Sequence, residues 1–217
     1  MSHAEPFRFF TERRLVELTG RRARTAPELL RHLEEVSGAS VFFHTHQAFL
    51  SHHFQKPVVY NDFAIWVEEA LQEDALAEKL AAVDLLRFTS VRELRGALVA
   101  VLRQHFAKAR SVPRECPPGE EFHFCRSKSF VMSTGLVAGD VREFFALLER
   151  VSNVSLYFHL LEARLRLGRP TNDFSQWLQD RGEPELARRI DALNPYTQSL
   201  DEVKNSILRL GQEGGWR

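Results

Sequence analysis

The chain is poor in sulfur and carries no surplus of charge. Among 217 residues there are two Cys and two Met, and 29 Lys and Arg are balanced by 29 Asp and Glu. Cys116 and Cys125 are nine apart, fit no metal-ligand spacing and cannot build a disulfide framework. They read as free thiols in a reducing cytoplasm. Electrical neutrality disfavours nucleic acid as a partner, because tracking a phosphate backbone takes a basic excess. No run of about 18 apolar residues occurs, so no membrane-spanning helix is expected. Met1 to Pro6 lacks the basic-then-apolar pattern of a secretory leader. A Gly-rich phosphate loop, Gly-x-Ser-x-Gly and His-Glu-x-x-His are all missing. The motifs that announce an enzyme class are therefore absent, and no cofactor and no metal site is expected.

What the chain does have is aromatic: 17 Phe. It also has self-similarity. Val36-Ser-Gly-Ala-Ser-Val-Phe-Phe-His44 recurs as Val151-Ser-Asn-Val-Ser-Leu-Tyr-Phe-His159, an offset of 115 (159 − 44). The same offset relates Phe7-x-Phe9 to Phe122-x-Phe124, and Thr19-Gly20 to Thr134-Gly135. Asn61-Asp62-Phe63-x-x-Trp66 recurs as Asn172-Asp173-Phe174-x-x-Trp177. Recurrence at a fixed period is a fold-level signal. The expectation is a mainly α protein: a tandem duplication of a ~100-residue helical unit with short β strands, in a pseudo-twofold arrangement. A first copy spans 6–107, a Pro-rich linker 108–119, and a second copy 120–212.

Helix starts are marked by capping pairs. Thr25 with Glu28, Ser90 with Glu93, Asp140 with Glu143 and Ser199 with Glu202 each place an acid three residues after a cap. Asn61 and Asn172 read as N-caps, with Asp62 and Asp173 favourable in the first turn. Ser40 and Ser155 read as N-caps of a central helix in each copy, and Gly168 as the left-handed end of the second one. Thr19-Gly20 reads as a helix end followed by a turn of arginines. Phe63, Trp66, Phe174 and Trp177, at i and i+3 behind their caps, are expected in the core.

The central helices supply the candidate site. The second carries a polar stripe of His159, Glu162 and Arg166. The first carries His44 and His46, with His52, His53 and Asp62 downstream. A metal site there meets a geometric objection. His44 and His46 are about 200° apart on a helix, and His46 and His53 are roughly 10 Å apart along it. Zinc bonds of ~2 Å do not span that gap.

With Phe-x-Phe, Leu-Thr-Gly-Arg, Ser40-Val-Phe-Phe-His-Thr-His46, Asn61-Asp-Phe-Ala-Ile-Trp66, Tyr157-Phe-His159 and Glu162-Ala-Arg-Leu-Arg-Leu167, the chain resembles an uncharacterised bacterial family known only as a domain of unknown function. The resemblance covers nearly the whole chain. It implies a bacterial cytoplasmic protein and brings no activity, cofactor or catalytic residue. Two expectations follow. The first is a non-catalytic binding or regulatory module for an unknown protein or small molecule. The alternative is a metal-dependent or acid–base enzyme whose site survives only in the first copy, around His44, His46, His52, His53 and Asp62.

Overall fold

The structure, a computed structural model, describes residues 5–47, 61–108, 112–194 and 198–216. His52 and His53 lie outside the described residues.

Strand β1 (Phe7–Ala23) leads into α1 (Ala26–Glu35) and α2 (Gly38–Phe42), and α2 continues as a π-helix over Phe43–Gln47. Next come α3 (Asp62–Glu69), α4 (Asp74–Ala81), a 3-10 turn at Leu85–Arg87 and the long α5 (Val91–Lys108). Strand β2 (Phe122–Ala138) is followed by α6 (Val141–Leu148), α7 (Asn153–Tyr157), a π-helix at Phe158–Glu162 and α8 (Ala163–Leu167). The last helices are α9 (Asp173–Asp180), α10 (Pro184–Asp191) and α11 (Leu200–Glu213).

The capping chemistry read from sequence sets many of these starts. The Thr25 side chain accepts from the Glu28 N–H and the Asp140 side chain from the Glu143 N–H. Ser199 and Glu202 form a reciprocal capping box. The Asn61 and Asn172 side chains accept from the Ala64 and Ser175 N–H groups. Gly168 ends α8 at φ 62°, left-handed as expected.

β1 and β2 form one two-stranded sheet. The Thr19 hydroxyl donates to the Phe124 carbonyl, Arg126 pairs with Glu17, and the Thr134 hydroxyl donates to the Phe9 carbonyl. Each pair of numbers sums to 143 (19 + 124, 17 + 126, 9 + 134). A constant sum is the mark of antiparallel pairing in one register. Gly20 and Gly135 lie inside the strands at φ 75° and 77°. There each preceding Thr hydroxyl accepts the N–H two residues on, at 3.2 Å. A left-handed glycine kinks a strand without steric cost. Thr19-Gly20 is therefore a strand feature, and the expected helix end at this point is corrected.

Two compact units divide the chain. One comprises Met1–Arg13 with Ser129–Arg217, the other Arg14–Lys128. In the first, Phe7 and Phe9 pack against Phe144, Phe174 and Trp177, with ring centroids 5.4–6.3 Å apart. In the second, Phe122 packs against Phe63 and Trp66 at 5.3 and 5.6 Å. Phe63 and Phe174 are fully buried and Trp66 and Trp177 are 8% exposed, as the i, i+3 spacing predicts.

The expected fold class is overturned. The protein is a mix of helices with one antiparallel ribbon, and no tandem duplication in a pseudo-twofold arrangement is evident. Its strands are 17 residues long, and each is divided between the two units. The first unit is built from two separate stretches of chain, and the second, Arg14–Lys128, is enclosed between them in sequence. The physical reason lies in the ribbon. Leu15, Val16, Phe130 and Val131 are about half exposed, so the middle of each strand has no buried face to impose a period of two. The sequence pattern accordingly shows only the strand tips.

Candidate functional site

In the unit that contains β2's second half, α7 opens at Ser152, whose side chain accepts from the Ser155 N–H. That moves the N-cap three residues ahead of the serine expected to fill it. The Ser155 hydroxyl instead donates to the Phe10 carbonyl of β1. Four residues on, in the π-helix, His159 Nε2 lies 2.8 Å from the Phe10 nitrogen and accepts its N–H. Two side chains of one helical segment thus satisfy both polar main-chain groups of one strand residue. The other unit repeats the arrangement with different strand chemistry. Ser37 caps α2, the Ser40 hydroxyl donates to the Cys125 carbonyl at 2.6 Å, and the Cys125 N–H donates to His44 Nε2 at 2.8 Å.

These bonds fix the tautomer. A backbone N–H can only donate, so Nε2 of each histidine accepts and the ring proton sits on Nδ1. His159 Nδ1 is 2.7 Å from Asp173 Oδ2, and His44 Nδ1 is 2.8 Å from Asp62 Oδ2. Each imidazole has both nitrogens committed, in a ring that is 4% exposed or less. A general base or a metal ligand needs an accessible nitrogen lone pair, and neither ring offers one in this state.

Asp173 is the hub of its unit. Burial pushes its carboxyl up, but the hydrogen bonds from His159 and Arg166 outweigh burial and hold it below the usual carboxylate range. Arg166 reaches the same carboxylate oxygen at 2.7 Å, and its guanidinium lies 4.5 Å above the Phe158 ring. Beside Asp62 stands Cys125, whose thiol is pushed up by burial and by the Asp62 charge, and so stays protonated.

Of the residues singled out by sequence, the structure joins His44 to Asp62 and links His159 to Arg166 through Asp173. His46 sits apart in an aromatic setting, stacked on Phe42 at 5.2 Å. Burial, aided by the Arg14 charge, pushes its imidazole down to about 4. The π turn carries more residues per turn than an α-helix, so the polar stripe is broken: His159 and Glu162 are buried while Arg166 is exposed. Among the described residues no three His, Cys, Asp or Glu side chains stand together as a metal cage would require. Sequence reasoning missed the strand partners Phe10 and Cys125 and the role of Asp173. The one available signal was the Asp that follows each Asn cap, which the capped helix start had already explained.

Next to His159, within the same unit, lies an open cleft of about 1000 Å³. Phe7, Phe10, Val131, Phe158 and Trp177 give it apolar walls. One side is α9, which presents Asp173, Gln176, Trp177 and Asp180 at i, i+3, i+4 and i+7. The Trp177 indole N–H donates to the Glu5 carbonyl at 2.8 Å, which fixes the start of β1 along the far end of the cleft.

A helix-rich α/β protein with a two-stranded ribbon held by helix side chains is the class these features define. Residues 4–212 match the model described as Family of unknown function (DUF5752), and the chain belongs to that family. Among solved structures it is similar to OrfY from Thermoproteus tenax, with 28% identity and a TM-score of 0.83 over 98% of this chain and 97% of that one. No curated protein matches it.

Proposed function

We propose that the protein is a non-catalytic binding or regulatory module that takes its ligand in the cleft beside His159. The observation that supports this reading is the commitment of both imidazole nitrogens to structure next to a roomy aromatic cleft. Concave, mostly apolar sites with a few fixed polar groups are what small ligands use. The acid–base alternative draws no support from His44, which is tied as His159 is, nor from His46, which is buried beside the Thr45 hydroxyl and the Phe42 ring. The bacterial, cytoplasmic setting belongs to this reading; free Cys116 and Cys125 suit a reducing compartment. No helix among the described residues is long and apolar enough to cross a membrane.

The test is a binding screen. Thermal-shift measurements against a panel of small metabolites should find compounds that stabilise the protein in proportion to their concentration. Hits should move the Trp177 indole signal in an NMR spectrum. Stabilising compounds that leave Trp177 untouched, or that are chemically turned over, overturn the reading.

A further inference from the structure

The geometry points to a particular ligand class for that cleft: a small amphipathic anion, with a carboxylate or phosphate group at Arg166 and an apolar or aromatic body lying along Phe10 and Val131. This rests on the binding reading above and deepens it.

Arg166 is the key. Its guanidinium is anchored by Asp173 at 2.7 Å, reaches the Phe158 carbonyl at 3.5 Å and stands over the Phe158 ring, 4.5 Å from its centroid. The side chain is nevertheless 44% exposed and lines the cleft. A guanidinium has five N–H donors in a rigid fork, and the carboxylate and carbonyl contacts both use one nitrogen. The remaining donors belong to a group whose position is set by Asp173, the Phe158 carbonyl and the Phe158 ring. Pre-ordering of this kind lowers the entropy lost when an oxyanion docks side-on. Arg8 adds a second cation to the cleft wall, on the same face of β1 as Phe10 by the two-residue period of a strand.

Three acids also line the cleft and decide where the anion goes. Asp173 is neutralised in place by Arg166 and by its bond to His159. Asp180 accepts from Gln176 at 3.2 Å and lies seven residues along α9, about 10 Å from Asp173. Glu5 stands at that same far end, where its carbonyl takes the Trp177 and Arg181 donors. Glu5 and Asp180 are offset at that end by the Arg181 guanidinium, which is already spent on the Glu5 carbonyl and the Trp177 ring, so the anion is assigned to the Arg166 end. Between the two ends run the apolar walls, with Val131 54% exposed. The other unit has the same Ser–His–Asp arrangement, but its strand carries His123 two residues before the clasped Cys125 where this one carries Arg8 before Phe10. Among the described residues, the pairing of a cleft-lining arginine with the clasped histidine's aspartate is found in this unit.

The experiment uses the full chain and three probes of one shape: benzoate, phenyl phosphate and uncharged benzamide, followed by calorimetry and by NMR of the Trp177 indole and the Gln176 side-chain amide. The expected result is saturable binding of benzoate or phenyl phosphate at least tenfold tighter than benzamide, with shifts at Trp177 and Gln176. The stronger of the two names the anion as carboxylate or phosphate. Arg166→Gln should remove the preference for the anion. Arg166→Lys, which keeps the charge and loses the fork, should weaken it several-fold and guards against a folding defect in the first variant. Equal binding of all three probes at the cleft overturns the anion assignment and leaves the binding reading standing. Failure of every probe to move Trp177 or Gln176 overturns both.

Discussion

His159 is bonded through its side chain to the main chain of Phe10, 149 positions earlier, with Nε2 accepting the Phe10 N–H at 2.8 Å. The bond ties strand to helix without a third strand. Removing the acceptor leaves a part-buried N–H unsatisfied and opens a cavity among Phe7, Phe9 and Phe174. His159→Ala is expected to destabilise by about 2–4 kcal/mol, combining an orphaned donor with lost packing. Urea denaturation measures the loss. Amide exchange locates it: the Phe10 N–H should exchange slowly in the wild type and far faster in the variant. Unchanged exchange at Phe10 would refute the clasp.

Ser155 and His159 hold the C=O and the N–H of the same residue, so their contributions should not add. Once His159→Ala has loosened β1, Ser155→Ala has less left to break. A double-mutant cycle is expected to show coupling of about 0.5–2 kcal/mol. Ser152→Ala, which removes the true cap, should cost about 1 kcal/mol and add independently. An independent, additive Ser155 would return it to the role of a cap.

How legible was this arrangement in the sequence? The caps at Thr25, Asn61, Asn172 and Ser199 were, because each is a local rule spanning four residues. So were the buried Phe63, Trp66, Phe174 and Trp177. The clasp was not. It pairs Ser155 and His159 with a strand residue far away in sequence, and no periodicity records which main-chain group a side chain will meet. Ser155 also imitates a cap, since it stands at the third position of a helix that begins just before it. The π-helix was equally invisible, and it splits the stripe, with His159 and Glu162 buried and Arg166 exposed. Of the proposed cluster, His44 and Asp62 do meet, through a hydrogen bond of 2.8 Å.

Trp66 couples packing to the strand. Its ring lies edge-on to Phe122 at 5.6 Å, and its indole N–H donates to the Glu120 carbonyl at 2.7 Å. Trp66→Ala is expected to lower stability by about 3–5 kcal/mol. Trp66→Phe, which keeps an aromatic ring and loses the donor, should cost about 1–2 kcal/mol. An unchanged denaturation midpoint in the alanine variant would show that the ring does not pack as described.

Gly211 in α11 is required by contact. A Cβ there would stand 2.5–2.7 Å from the Phe145 ring, which is fully buried. A buried ring cannot give way cheaply. Gly211→Ala gains helix propensity of up to ~1 kcal/mol yet is expected to destabilise by about 1–3 kcal/mol net. Gly96 in α5 is the control, since a Cβ there meets nothing within 4 Å; Gly96→Ala should stabilise slightly. A stabilised Gly211→Ala, judged by thermal melting beside Gly96→Ala, would show that α11 packs less closely on Phe145.

His46 should make the protein acid-sensitive. Its imidazole is 4% exposed, and burial, with Arg14 nearby, takes it from 6.5 in the unfolded chain to about 4 in the fold. Between those values the unfolded chain binds a proton that the folded one excludes. Stability from this residue is therefore complete above about pH 6.5 and declines as pH falls toward 4, with no further loss below. The full difference amounts to about 3 kcal/mol. Asp173 contributes with the same sign but in a lower window. Its carboxyl is depressed below 3.8, so its stabilisation holds above that value and is lost only as pH drops through the depressed one. The two are separated by His46→Phe, which keeps a ring on Phe42 and removes the titrating group. Unfolding free energies from urea titrations at pH 7 and pH 4.5 should show the wild type losing about 2–3 kcal/mol more than the variant. Equal losses in the two proteins would mean that His46 takes up its proton in the folded state at an ordinary pH, and that its surroundings are wetter than the packing on Phe42 implies.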